Sequence, residues 1–171
     1  MFYKFKTKPY AHQLKALEMS WNKEVFAYFM EMGTGKTKVA IDNAAVLWSM
    51  RKLNAILVIA PKGVYQNWTE IEIPKHLHDS IPYFDAAWHS VPNKKQQEAL
   101  NTVMHGKFDD DTIRVLVMNT EGFAFKRNEE FARKFLMTYP NNMLIVDEST
   151  GIKNQRAKRT RAIIRVGKFG K

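Results

Sequence analysis

The chain has 171 residues, with 27 Lys and Arg against 17 Asp and Glu, a net charge of +10 when histidine is neutral. Its 45% hydrophobic and 26% charged residues are the composition of one globular domain and exclude a disordered tail or a collagen-like or coiled-coil rod. The absence of cysteine removes disulfide scaffolds, thiolate zinc centres and cysteine nucleophiles together. Apolar runs such as Ala55 to Ala60 are far shorter than the roughly 20 residues a membrane helix needs. Lys4, Lys6 and Lys8 are not followed by an apolar stretch of signal-peptide length. A cytoplasmic protein with no membrane partner is expected.

Taken in chain order, the pattern alternates. Val25 to Met30 is a short apolar run that reads as a strand, ending in Glu31-Met32-Gly33-Thr34-Gly35-Lys36-Thr37. Ala40, Ile41, Ala44, Ala45 and Trp48 then recur at helical spacing. Ala55 to Ala60 is a second strand, closed by Pro61 and followed by a helical stretch through Trp68. Tyr83 to Trp88 is a weaker strand, and Val91 to Gln97 reads as a surface connection. A helix carrying Ala99, Leu100, Val103 and Met104 on one face comes next. Ile113 to Met118 is a strand, Glu129 to Met137 a helix, and Met143 to Val146 the last strand. A further helix follows Asn154, and Val166 to Lys171 reads as a loop. Unbroken apolar strands separated by helices indicate an α/β fold, a mostly parallel central sheet covered on both faces.

Charge is placed unevenly. From Ser149 onward the chain carries Lys153, Arg156, Lys158, Arg159, Arg161, Arg165, Lys168 and Lys171 without an acid, and residues 1–15 carry four lysines without one. All acidic residues therefore lie between these ends. Such a distribution fits contact with a polyanion and equally fits a solvated face. Lys158, Arg161 and Arg165 form one stripe of the last helix, with Ala162, Ile163 and Val166 turned elsewhere.

The strongest chemical signal is Gly33-Thr34-Gly35-Lys36-Thr37 between strand and helix. Glycines let successive N–H groups point at a phosphate, and the helix N-terminus adds partial positive charge. Lys36 would reach the β- and γ-phosphates, and the Thr37 hydroxyl would ligate Mg²⁺. The pattern GxxxxGK[ST] asks for glycine where this chain has Met30; Gly33 and Gly35 keep the loop permissive. The complementary acidic pair stands at the end of a buried strand: Asp147 to hold Mg²⁺, Glu148 to orient and deprotonate an attacking water.

Together these segments resemble the Swi/Snf-like branch of superfamily two helicases and translocases. Asp147-Glu148-Ser149-Thr150-Gly151-Ile152-Lys153-Asn154 resembles its motif II, usually DEAHRLKN. Glu31 to Thr37 resembles its motif I, DEMGLGKT, which also lacks the first Walker glycine. Pro9-Tyr10-Ala11-His12-Gln13 resembles the segment before motif I, and Ala60-Pro61-Lys62 with Trp68 resembles motif Ia. Asn119-Thr120-Glu121 falls where the next DNA-contacting motif would lie.

The resemblance implies residues 1–171 as a single RecA-like ATP-binding lobe, truncated before motif III, with the second lobe absent. It implies ATP and Mg²⁺ as cofactors, held by Gln13 on the adenine edge, by Met32, Gly33, Thr34, Gly35, Lys36 and Thr37, and by Asp147. Lys36 and Glu148 are the implied catalytic pair. The implied partner is DNA, double-stranded in preference to single-stranded, gripped without sequence preference by Pro61, Lys62, Asn119 and Thr120. Ser149 and Thr150 replace the Ala-His of the DEAH form. A second lobe would bring arginines that stabilise transition-state charge, so weak hydrolysis by this chain alone is expected.

Two other classes remain open from sequence: a self-contained P-loop kinase, and a non-catalytic DNA- or partner-binding module that keeps the fold. Weaker signals have simpler readings. His76, His78 and Asp79 suit a surface loop better than a metal, Asp109 to Asp111 suit a turn, and the four tryptophans suit a core. No Gly-x-Ser-x-Gly elbow supports hydrolase chemistry.

Overall fold

A computed structural model describes residues 3–148, 154 and 156–170. Its centre is β1 (Ala55–Ala60), every residue of which is buried. β1 pairs in parallel with β3 (Ile113–Asn119) on one side and β4 (Asn142–Val146) on the other. β2 (Tyr83–Ala87) extends the sheet beyond β3, again in parallel, giving the order β2-β3-β1-β4.

Alternation along these strands builds two cores. Leu57, Ile59, Leu116, Met118, Leu144 and Val146 face one side, where they meet three helices. These are α4 (Lys94–His105), α5 (Lys126–Thr138) and α6 (Lys158–Gly167). Ile56, Val58, Val115, Val117, Met143 and Ile145 face the other side and meet α2 (Lys36–Ser49), a π-helical turn (Trp68–Glu72) and α3 (Ile73–His76). A fully buried side chain such as Phe135 contributes roughly 1.5–3 kcal/mol. Strands apolar on both faces are what a covered parallel sheet requires. A third cluster, Leu17, Val39 and Val46, packs α1 (Ala11–Ser20) onto the outside of α2.

The expected strand at Val25 to Met30 is not a strand. Residues 26–30 carry no ladder pairing; Tyr28 and Met30 turn onto the α1–α2 cluster while Val25 and Phe29 are exposed. Tyr28 donates its hydroxyl to Ser20 Oγ, so side-chain anchoring to helices takes the place of a sheet partner. The helix foreseen before Trp68 begins at Trp68 instead, after turns through residues 62–66. Val91 to Gln97 is a connection only as far as Asn93, whose Oδ1 caps α4 by accepting from Gln96 N at 2.9 Å. The final loop is likewise shorter than foreseen, because α6 continues to Gly167.

His76 is buried in α3, with Thr7 Oγ1 2.8 Å from Nδ1. Asp79 pairs instead with Lys6, and His78 Nδ1 accepts from Ser80 N, so the three do not converge. Burial, then Lys38 and Lys75, pull the His76 imidazole down to about 4, outweighing Glu72 Oε2 at 3.5 Å. The unfolded chain takes up this proton near pH 6.5, whereas the folded chain resists it until about pH 4. The contribution is therefore complete above pH 6.5 and lost as pH falls towards 4. Denaturant unfolding should show a loss of roughly 2–3 kcal/mol across this window from His76, and His76→Asn should flatten that part of the profile.

Candidate functional site

Register decides what meets at the carboxyl edge of the sheet. Ala60 is paired with Asn119, and Ile59 with Val146, so Pro61 and Thr120 leave the sheet level with each other and Asp147 leaves it within one residue of them. Residues 50–54 join α2 to β1. A helix packed on the sheet face and joined by so short a turn must run antiparallel to the strand, which aims the N-terminus of α2 towards that same edge.

The loop before α2 has the shape its glycines permit. Gly33 and Gly35 have φ of 77° and 81°, a region other residues enter at a cost. Open space surrounds the Gly33 Cα, whereas a Cβ on Gly35 would stand 2.3 Å from Gln13 Nε2. Thr34 Oγ1 donates to Glu31 O at 2.7 Å, and Lys36 Nζ donates to Met30 O at 3.0 Å and Glu31 O at 2.9 Å. The ammonium is thus folded back on its own loop. α2 has no side-chain cap and no acid in its first turn, the condition under which a helix N-terminus suits an anion. Thr37 is half-buried on this turn and Met32 is exposed. These features fit a nucleotide phosphate chain.

Gln13 is buried under the loop. Its Oε1 accepts from Tyr10 N at 3.0 Å and its Nε2 donates to Thr34 O at 3.0 Å. Both ends of the amide therefore tie the start of α1 to the glycine loop. His12 Nε2 lies 3.1 Å from the same Thr34 carbonyl. Adenine recognition by Gln13 would require the amide to exchange these bonds.

Asp147 continues β4 by donating its N–H to Ile59 O at 2.8 Å. Its Oδ2 accepts from the Trp68 indole Nε1 at 3.0 Å, and its Oδ1 from Glu148 N at 3.0 Å. Glu148 is exposed and has φ of 48°, unusual for a residue with a Cβ. An oriented carboxylate with lone pairs to spare beside an exposed second carboxylate has the donor chemistry Mg²⁺ prefers. Ser149, Thr150 and Lys153 lie outside the described residues.

The remaining edge loops form a rim. Lys62 is exposed, and its backbone N–H donates to Glu121 Oε2 at 3.0 Å. Pro61 is half-buried, Thr120 is buried, and Asn119 Oδ1 is occupied capping Gly122 N at 2.6 Å. Lys62 is thus the open cation of the expected rim residues, while Asn119 and Thr120 shape the loop. On α6, Lys158 and Arg161 are exposed, but Arg165 makes two 2.6 Å bonds to Glu129. Its guanidinium holds the Glu129 carboxyl below the usual range, and the basic stripe loses its last member to α5. Sequence reasoning missed the tie from Glu121 to Lys62 and the bond from Trp68 to Asp147; each spans a separation that no local pattern reports.

The profile of the SNF2-related domain family matches residues 13–168. Among solved structures, the Sulfolobus solfataricus SWI2/SNF2 ATPase core in complex with dsDNA is similar, with a TM-score of 0.65 and 21% identity. The similarity covers 94% of this chain and 30% of that one, so the present chain spans less than a third of that protein's length. At this identity the likeness is one of fold. No curated protein matches the chain at a significant level. The family match begins at Gln13 and runs through the glycine loop, the rim and the acidic pair to Lys168; the chain belongs to the SNF2-related domain family, as the α/β lobe that carries the glycine loop.

Proposed function

We propose that the chain is the ATP-binding lobe of a DNA-dependent ATPase, which couples hydrolysis to movement along double-stranded DNA when a second RecA-like lobe closes over it. The observation that carries this reading is the uncapped N-terminus of α2, with its glycine loop, aimed at the edge where Asp147 and Glu148 emerge.

In this reading the N–H groups from Met32 to Thr37 receive the phosphates. Lys36 exchanges the carbonyls of Met30 and Glu31 for β- and γ-phosphate oxygens. Thr37 and Asp147 hold Mg²⁺, which supplies neutralisation of the phosphate charge. Glu148 accepts a proton from the attacking water, and Gln13 keeps the loop seated on α1. Lys62, with backbone groups near Pro61, Asn119 and Thr120, grips phosphates of the DNA backbone, which fixes position without reading sequence. The arginines that steady transition-state charge come from the other lobe and are worth about 10³–10⁵ in rate, so the isolated lobe binds nucleotide and turns it over slowly.

Calorimetric titration should show Mg-ATP binding to the chain and none to Lys36→Ala; equal binding by both overturns the reading. Gly35→Ala forces a Cβ into the Gln13 amide at an unfavourable φ. It should cost about 1–2 kcal/mol of stability and weaken ATP binding in the same titration. Duplex DNA should bind with an affinity that falls steeply with salt, and Lys62→Ala should lower the log–log salt slope by about 1. A slope unchanged by Lys62→Ala would remove Lys62 from the rim.

A further inference from the structure

Trp68 is 3% exposed and stands at the start of the π-helical turn, packed in the apolar cluster between the sheet and α2. A buried indole N–H needs an acceptor, and the one it has is Asp147 Oδ2, 79 residues away at 3.0 Å. The apolar part of the ring is held by the core, so the N–H has one direction available. The other carboxylate oxygen, Oδ1, accepts from Glu148 N at 3.0 Å, and the Asp147 backbone is tied to Ile59 O. An aspartate leaving the end of a strand ordinarily turns freely about its side-chain bonds; this one is gripped at both oxygens. A carboxylate offers about four acceptor positions, and among the described residues these two N–H donors leave the others open in a fixed plane.

We propose that Trp68 is a positioning residue for a divalent cation: its indole locks the Asp147 carboxylate in the orientation that presents its remaining lone pairs to the metal. This rests on the reading of Asp147 as the carboxylate that holds Mg²⁺. Trp68 is buried and bonded to Asp147 Oδ2, so its effect on a metal would pass through Asp147, as that of outer partners of metal ligands does.

The test uses the 171-residue chain with Mn²⁺ as the probe metal and ADP as the nucleotide. Mn²⁺ binding followed by electron paramagnetic resonance should be about tenfold or more weaker in Trp68→Phe than in the parent, with metal-free ADP affinity unchanged. A wild-type Mn²⁺ affinity in folded Trp68→Phe overturns the proposal. If Phe at this buried position prevents folding, the four indole N–H resonances of the ¹⁵N-labelled parent and Asp147→Ala decide. The Trp68 resonance, assigned by connectivity, should move in Asp147→Ala towards that of an indole without an acceptor, and an unmoved resonance overturns the proposal. Asp147→Ala also separates the two failures. Weakened Mn²⁺ binding in Asp147→Ala but not in Trp68→Phe defeats the role of Trp68 alone. Unchanged binding in Asp147→Ala defeats the assignment of the metal to Asp147, and the proposal with it.

Discussion

The rest of the molecule depends on the parallel pairing of β1 with β3 and β4. Because Ala60 stands opposite Asn119 and Ile59 opposite Val146, three loops with no local sequence relation emerge within one residue of the same height. A shift of one residue in either ladder would turn a whole set of apolar side chains to the wrong core, and both faces of β1 are buried. Packing therefore specifies the register, and the register specifies which polar groups become neighbours. The chemistry of the edge is in this sense a by-product of how Leu57 and Ile59 face one core while Ile56 and Val58 face the other.

Much of this was legible in the sequence, for a physical reason. AILVIA, IRVLVM and MLIV are runs that only a doubly covered strand explains, and all three are strands within a residue or so of their expected ends. The amphipathic faces of α4 and α6 also buried the residues their spacing assigned, Leu100, Val103 and Met104 in one and Ala162, Ile163 and Val166 in the other. Val25 to Met30 misled because apolar and β-branched content reports burial against something, and the something here is a pair of helices rather than a strand. Ladder pairing is a property of two segments, and composition sees only one.

The site divides the same way. Gly33, Gly35 and Lys36 announce themselves because a loop that enters a helix through two left-handed turns needs particular residue types in a row. The supports do not. Gln13 clamps the loop through Thr34 O, Glu121 joins the Lys62 loop to its neighbour, and Trp68 reaches Asp147. Each is a contact between elements that the fold alone brings together. Arg165 makes the converse point, since its helical spacing put it in a basic stripe, while a buried carboxylate on α5 claims it.

The left-handed backbone at Glu148, with φ of 48°, has a consequence for substitution at that position. A side chain in that region costs about 1–2 kcal/mol, and the bond from its own N–H to Asp147 Oδ1 offsets part of this. Glycine would sit there without strain and keep the same amide donor. At this position backbone ease and a side-chain carboxylate pull apart, because the replacement that relieves the left-handed backbone is the one that removes the carboxylate.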